Sequence, residues 1–335
     1  MKIAVLGATG AVGRTMLRVL EERAFPCEEL VLLASERSAG AQLTCLGRAW
    51  PVRAVAEQTF AGCDFALFSA GATRSKQWAP IAAQAGAVVI DNSSGWRMHP
   101  DVPLIVPEVN GRRVLSTPLG IIANPNCATI QLVVALEAIR RSGGLKRVIA
   151  TTLQSVSGAG NKGVSTLDQE LKGEAPTQSP FIATIAGNVI PYIGPRLDSG
   201  WNEEEEKIRA ETRKILELPD LPVAATCVRV PVRVGHSISV TVETERPLTS
   251  AAALESLRVM DGVAPPAERD PLPLDAAGTD EVYVGHMRAD PDVANTLHFW
   301  VVSDNLRKGA ATNAVQIAEA VLQGRAAQAR ARAHA

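Results

Sequence analysis

The 335-residue chain balances 34 basic against 35 acidic residues for a net charge of −1, and 46% of it is hydrophobic. It lacks the basic stripe or arm that would hold nucleic acid by its phosphates, and no apolar run nears the roughly 18 residues a membrane span needs. Its five cysteines are odd in number and scattered without CxxC spacing, which excludes a disulfide framework and a zinc site and fits a reducing, cytoplasmic setting.

A chain of this length predicts two lobes. It begins MKIAVLGATG, which lacks a signal peptide's cleavage region and reads as a first strand and turn. Nearly unbroken apolar runs follow at 2–7, 29–35, 63–70, 87–93 and 103–108, separated by helical spacings such as VGRTMLRVLEER and APIAAQAGA. That rhythm predicts strands of a parallel sheet buried on both faces, linked by crossover helices. From about residue 145 the character changes. LKRVIATTLQSVS predicts a strand, and a Gly-rich loop leads from it into a helix. TCVRVPVRV (226–234) and SISVTVET (237–244) alternate, predicting half-exposed strands with Val228, Val230, Val232 and Val234 on one face and Cys227, Arg229 and Arg233 on the other. The expected fold is α/β: a Rossmann-type dinucleotide-binding domain followed by a second, α+β domain. The boundaries expected are 1–127 for the first, with a C-terminal helix at 305–325 packing back on it, 128–304 for the second, and a frayed tail at 326–335.

The GATGAVG run sets Gly7, Gly10 and Gly13 directly after the first strand and at the head of a helix. Glycine there lets a pyrophosphate approach the backbone, and the helix start offers free N–H groups. The second strand ends in ASERSAG, where Ser35, Arg37 and Ser38 suit a 2′-phosphate and only Glu36 suits bare ribose hydroxyls, so NADP(H) is the expected cofactor.

One cysteine stands apart. In NPNCATIQ, Pro125 disfavours helix at Asn124, Asn126 is a preferred N-cap, and Cys127 takes the first helical position. A thiol there gains from the helix dipole, which favours the reactive thiolate. It needs a base within reach. Of His99, His236, His286, His298 and His334, the best placed is His236, in VGHS at a turn between two strands. Arg229 reads either as a carboxylate or phosphate fork or as a salt bridge across the sheet. WNEEEEKIRAETRKIL predicts a helix capped by Asn202 and Glu205, with Glu204 and Lys207 three apart on what reads as a solvated face.

In order along the chain, GATGAVG, LFSAG, DNSS, VPEVN, NPNCATIQ, LQSVSGAG, RVPVRVGHS and DNLRKGAATNAVQIAE resemble the aspartate-semialdehyde dehydrogenase family. The resemblance runs to about residue 320. It implies NADPH-dependent reduction of L-aspartyl-4-phosphate to L-aspartate 4-semialdehyde and phosphate, on the route to lysine, threonine, methionine and diaminopimelate. It implies Cys127 as nucleophile, His236 as acid/base group, and Gln154 near the thioester. Substrate contacts carry over to Arg97 and Lys207 for phosphate, Arg229 for the carboxylate, Glu204 for the amine, and Asn126. Cofactor contacts carry over to Thr9, Gly10, Ala11, Val12, Arg37, Ser38, Ser157, Gly158 and Asn305. A homodimer, sometimes paired into tetramers, is implied as well, with no metal. Ala128 departs from the Ser or Thr common after the nucleophile. The same architecture also serves N-acetyl-γ-glutamyl-phosphate reductase, whose cysteine motif continues differently, and a non-catalytic dimeric homologue would have lost the cysteine or the histidine.

Overall fold

The computed structural model describes residues 1–333 and divides into two units, Met1–Pro125 together with the segment from Ala310 onward, and Asn126–Gly309. In the first unit β1 (Lys2–Leu6), α1 (Ala11–Glu22), β2 (Glu29–Ala34), β3 (Gln42–Cys45), β4 (Arg48–Ala54), β5 (Phe65–Phe68), α2 (Ala72–Gln84), β6 (Val88–Asp91), α3 (Pro107–Asn110) and β7 (Ile121–Ala123) follow in turn. The sheet order is β3-β4-β2-β1-β5-β6-β7, parallel except for the β3–β4 hairpin. Connections leave β1 toward β2 and β5 toward β6 on opposite sides. The switch point therefore falls between β1 and β5, where open α/β sheets bind ligands at their strand carboxyl ends. The apolar runs of β1, β2, β5 and β6 are buried as a doubly covered sheet requires.

Three strands of this unit went unanticipated. The strands of the β3–β4 hairpin alternate and expose one face, unlike the unbroken apolar runs of the parallel sheet, and three-residue β7 is too short to carry a period. The run at 103–108 is not a strand: Leu104 makes one bridge to Ala123, after which Pro107 opens α3. Proline cannot donate to a ladder but suits a helix's first turn.

The second unit opens with α4 (Cys127–Gly143) and continues through β8 (Arg147–Gln154), α5 (Gly160–Leu171), α6 (Glu203–Leu216), β9 (Val223–Arg229), β10 (His236–Glu243), α7 (Ser250–Arg258), α8 (Pro273–Ala276), β11 (Tyr283–Ala289) and β12 (Thr296–Ser303). Its sheet runs β11-β12-β10-β8-β9, antiparallel except for the β8–β9 pair. Helix α4 is apolar on nearly every side and buried accordingly.

The expected strand at 226–234 is corrected in extent and facing. β9 ends at Arg229, two residues before Pro231, and its buried residues are Val223, Ala225, Cys227 and Arg229. The polar-looking face thus points inward. It packs against α6, where the Cys227 N–H donates to Glu205 Oε1 at 3.2 Å. Valine alternation alone could not show which face a helix would cover.

The chain re-enters the first unit through a π-turn, Arg307–Ala311, before α9 (Thr312–Ala333). The helix begins later than 305 because the Asp304 carboxylate accepts from the Leu306 and Arg307 N–H groups, closing a turn. It also continues beyond 325: 326–333 is helical, in keeping with its alanine and arginine content. His334 and the end of the expected tail lie outside the described residues. Ala314, Val315, Ile317, Ala318 and Val321 join the first unit's core, and Glu319 forks onto Arg23 at 2.8 and 2.7 Å.

Candidate active site

The first unit offers a backbone site. Gly7 lies at φ +89°, and a Cβ on it would fall 2.3 Å from the Ser69 carbonyl oxygen. A Cβ on Gly13 would fall 2.2 Å from the Gly7 carbonyl oxygen, so α1 packs on the loop only because Gly13 has no side chain. Gly10 caps α1 without a side-chain hydrogen bond, leaving the first N–H groups of that helix to a ligand. Thr9, Ala11 and Val12 line the same turn, and the Arg14 Nε holds the Thr9 carbonyl at 3.1 Å. After β2, Ser35 opens a single 3-10 turn, Glu36–Ser38, with Arg37 exposed. Elsewhere in this unit Arg97 is buried, its Nε donating to Asn124 O at 2.9 Å and its Nη2 to Asn92 O at 2.8 Å.

In the second unit the site is made of side chains. Helix α4 starts where the sequence predicts, with the Asn126 carboxamide oxygen accepting from the N–H groups of Ala128 at 2.9 Å and Thr129 at 3.3 Å. Cys127 is the first helical residue, and its Sγ lies 3.2 Å from Nε2 of His236 at the head of β10. His236 is fully buried. The Ser155 backbone N–H donates to Nδ1 at 3.0 Å, leaving Nε2 as the protonated nitrogen of a neutral ring facing the sulfur. Burial first, and the positive charge of Arg229 second, push the imidazole pKa well below 6.5.

The other thiols contrast with this one. Burial raises all four, Cys27 and Cys45 to about 11 and Cys63 and Cys227 upward too, so none ionises readily at neutral pH. The other described histidines are engaged elsewhere. His298 lies between Thr241 and Asp290, His286 pairs with Asp270, and His99 stacks on Trp96.

Around the Cys127–His236 pair the side chains interlock. Glu204 Oε1 accepts from Asn126 Nδ2 at 2.8 Å and from Gln154 Nε2 at 3.0 Å. Lys207 Nζ lies 3.1 Å from Glu203 and 3.5 Å from Glu204, on a helix face whose Glu204 is buried rather than solvated. Arg229 is buried at the end of β9, and its Nη1 donates to Ser155 O at 2.6 Å. Of the two readings open for Arg229, the salt bridge across the sheet is not formed among the described residues: its Nη1 holds a backbone carbonyl.

Gly158 is held close to this arginine: a Cβ there would fall 2.8 Å from Nη1 and 3.4 Å from the His236 ring. Asn305 Oδ1 gathers the Gly235 N–H at 3.0 Å and the Ser155 and Ser157 hydroxyls at 3.0 and 3.1 Å, tying the two loops that frame His236.

Thus Cys127, His236, Asn126, Gln154, Glu204, Lys207, Arg229, Ser157, Gly158 and Asn305 occupy one connected neighbourhood of the second unit. Arg97 and the residues of the nucleotide loop belong to the first unit. Sequence reasoning missed Ser155, which holds the histidine, and Glu211, whose carboxylate accepts from the Asn126 N–H. It also missed Gly309, where a Cβ would meet Cys127 Cβ at 3.1 Å. Only Glu211 carried a signal, two helical turns after Glu204.

Residues 2–117 match the family model described as semialdehyde dehydrogenase, NAD binding domain, and residues 136–308 match semialdehyde dehydrogenase, dimerisation domain. A curated relative, the aspartate-semialdehyde dehydrogenase of Aquifex aeolicus, is 50% identical over 333 residues, covering 96% of this chain and 98% of its own. Among solved structures, aspartate semialdehyde dehydrogenase II of Vibrio cholerae complexed with ASA is similar at TM-score 0.93 and 46% identity, covering 96% of this chain and 98% of that one. The enzyme of Candida albicans, solved with NADP, is similar at TM-score 0.73 and 26% identity, covering 96% and 98%.

Proposed function

The chain belongs to the aspartate-semialdehyde dehydrogenase family, and on that premise we propose that it reduces L-aspartyl-4-phosphate with NADPH to L-aspartate 4-semialdehyde and phosphate. The observation that carries the reading is the thiol of Cys127 at the start of α4, 3.2 Å from a buried, neutral imidazole. The helix start and the Nε2–H donor both favour the thiolate.

The thiolate attacks the acyl carbon, forming the C–S bond and breaking the C–O bond to phosphate, which leaves as the dianion after taking up one proton. Lys207 and Arg97 are assigned to that phosphate. NADPH, when bound, supplies the hydride that brings the thioester to the aldehyde level. The Nε2–H of His236 steadies negative charge on the sulfur and on the substrate oxygen, and His236 is the acid/base station of the site. Collapse of the tetrahedral adduct breaks the C–S bond and returns the thiolate. Gln154 positions the thioester, Arg229 takes the substrate carboxylate, and Glu204, with Asn126 beside it, takes the amine.

The cradle formed by Gly7, Gly10 and Gly13 fits a pyrophosphate, since a side chain at Gly7 or Gly13 would collide with backbone. Thr9, Ala11 and Val12 present that turn. Ser35, Arg37 and Ser38 favour a 2′-phosphate, hence NADP over NAD, and Ser157, Gly158 and Asn305 are assigned to the nicotinamide end. The match to a dimerisation domain supports a homodimer, with tetramers as a further step, and the thiol chemistry suits the cytoplasm. Among the described residues no helix is long and apolar enough to cross a membrane, and no group of His, Cys, Asp and Glu could hold a metal ion.

The test is the reverse reaction with aspartate semialdehyde, NADP and phosphate. Turnover by the wild-type protein is expected. Absence of turnover, or faster turnover of N-acetylglutamate semialdehyde, would replace this reading with its nearest rival.

A further inference from the structure

Helix α6 carries a carboxylate that the reaction described above does not use. Glu211 lies seven residues, or two turns, after Glu204, so both side chains leave the same face of the helix. It is 1% exposed, and its Oε2 accepts from the Asn126 backbone N–H at 2.6 Å. That distance is short for N–H···O, as a bond to a charged acceptor is.

The bond matters because of what Asn126 does. Its N–H belongs to the turn residue before the nucleophile, where the chain leaves proline and helix α4 begins. Every polar side-chain atom of Asn126 is also committed: Oδ1 to the N–H groups of Ala128 and Thr129, Nδ2 to Glu204 Oε1. Glu204 and Glu211 therefore grip one residue at two points, side chain and backbone, and rotation of that peptide would swing Cys127 away from Nε2 of His236.

We propose that Glu211 is a positioning residue for the thiol chemistry: its carboxylate oxygen locks the Asn126 peptide and thereby aims the Cys127 sulfur. The assignment rests on the reading of Cys127 as nucleophile, and it predicts that reach matters more than charge. Glu211→Gln keeps an oxygen at the same distance without the charge. Glu211→Asp keeps the charge but draws the oxygen back by one methylene. Glu211→Leu removes both.

The experiment measures kcat and KM for aspartate semialdehyde, and separately the second-order rate at which iodoacetamide alkylates Cys127, followed by peptide mass spectrometry at fixed pH. Expected is kcat within about three-fold of wild type for Glu211→Gln, and a fall of about ten- to a hundred-fold for Glu211→Asp and Glu211→Leu, as for a buried N–H left without its acceptor. KM should stay within about three-fold throughout, because Glu211 is not among the assigned substrate contacts. The alkylation rates should follow the same order as kcat. A Glu211→Gln variant as impaired as Glu211→Leu would overturn the proposal, and so would a fully active Glu211→Asp. If Glu211→Leu does not fold, the Gln–Asp pair decides alone. Should the wild type not turn over the semialdehyde, the reaction assigned to the chain fails, while the alkylation order still judges Glu211.

Discussion

The two units build their sites from different materials. In the first, the ligand cradle is backbone: Gly7, Gly10 and Gly13 matter for the side chains they lack, and the donors are the N–H groups at the start of α1. In the second, the site is a mesh of committed side chains, with Asn126, Gln154, Ser155, Glu204, Arg229, His236 and Asn305 each hydrogen-bonded to another member or to its backbone. A backbone cradle fails by collision, through added volume. A side-chain mesh fails by misalignment, through lost or displaced atoms. The same size of change should therefore act on folding in one unit and on turnover in the other.

The most severe test removes the thiol assigned as nucleophile. Cys127→Ser should lower kcat in the reverse assay on the order of 10⁴- to 10⁶-fold with little change in melting temperature, the scale of losing one member of a nucleophilic site. Substantial turnover by the variant would end the covalent reading. Next comes the cradle. Gly13→Val places a Cβ where the Gly7 carbonyl oxygen stands, 2.2 Å away. Urea unfolding should show a loss of about 2–4 kcal/mol, the range for overpacking against fixed backbone. Unchanged stability would mean that the loop yields and that the cradle is not rigid.

Gly158→Ala sharpens the contrast, because it adds a single methyl to the second unit, 2.8 Å from Arg229 Nη1. The guanidinium is the tip of a flexible side chain and can yield. The expected result is a rise of about ten-fold in KM for the semialdehyde with stability nearly unchanged, as for one displaced charge-assisted contact. Arg37→Ala should raise KM for NADP about ten-fold and leave NAD unaffected, the signature of one lost phosphate contact. An unchanged ratio would return the cofactor preference to the open choice between NADP and NAD.

A further effect is on pH. His236 titrates well below 6.5 when folded, so below that pH the unfolded chain binds the extra proton and the folded one does not. Stability contributed by this group is then present above about pH 6.5 and falls by about 1.4 kcal/mol per unit below it, until the folded pKa is reached. Denaturant melts of wild type and His236→Gln between pH 7 and pH 5 should show a shallower slope in the variant.

The backbone site was the more legible of the two. GxxGxxG after an apolar run states a tight turn and a close approach in one dimension, because Gly10 and Gly13 answer to Gly7 a few residues away; only the Ser69 carbonyl against Gly7 lies far along the chain. The start of α4 was legible for the same reason, since a cap needs only Asn126 and the two N–H groups that follow it. Lys207 was not: its helix reads as solvated by charge spacing, yet Glu204 beside it is buried. Nor was the facing of β9. Alternation predicts that two faces differ but cannot say which one a helix will cover, and here α6 covers the side bearing Cys227 and Arg229.

By itself, then, the sequence determined the α/β character, the glycine cradle, the capped helix with Cys127 at its first position, and a short list of partners for the thiol. These depend on period, propensity and hydrogen bonds within a few residues. Only the tertiary structure put His236 beside the thiol, turned Arg229 inward, and set Ser155 and Glu211 as the supports of the pair. Those contacts join residues 81 and 85 positions apart in the chain. No local rule reaches that far: such groups meet because burying the faces of β8, β9, β10 and α6 brings them together, and once buried each polar atom must find a partner.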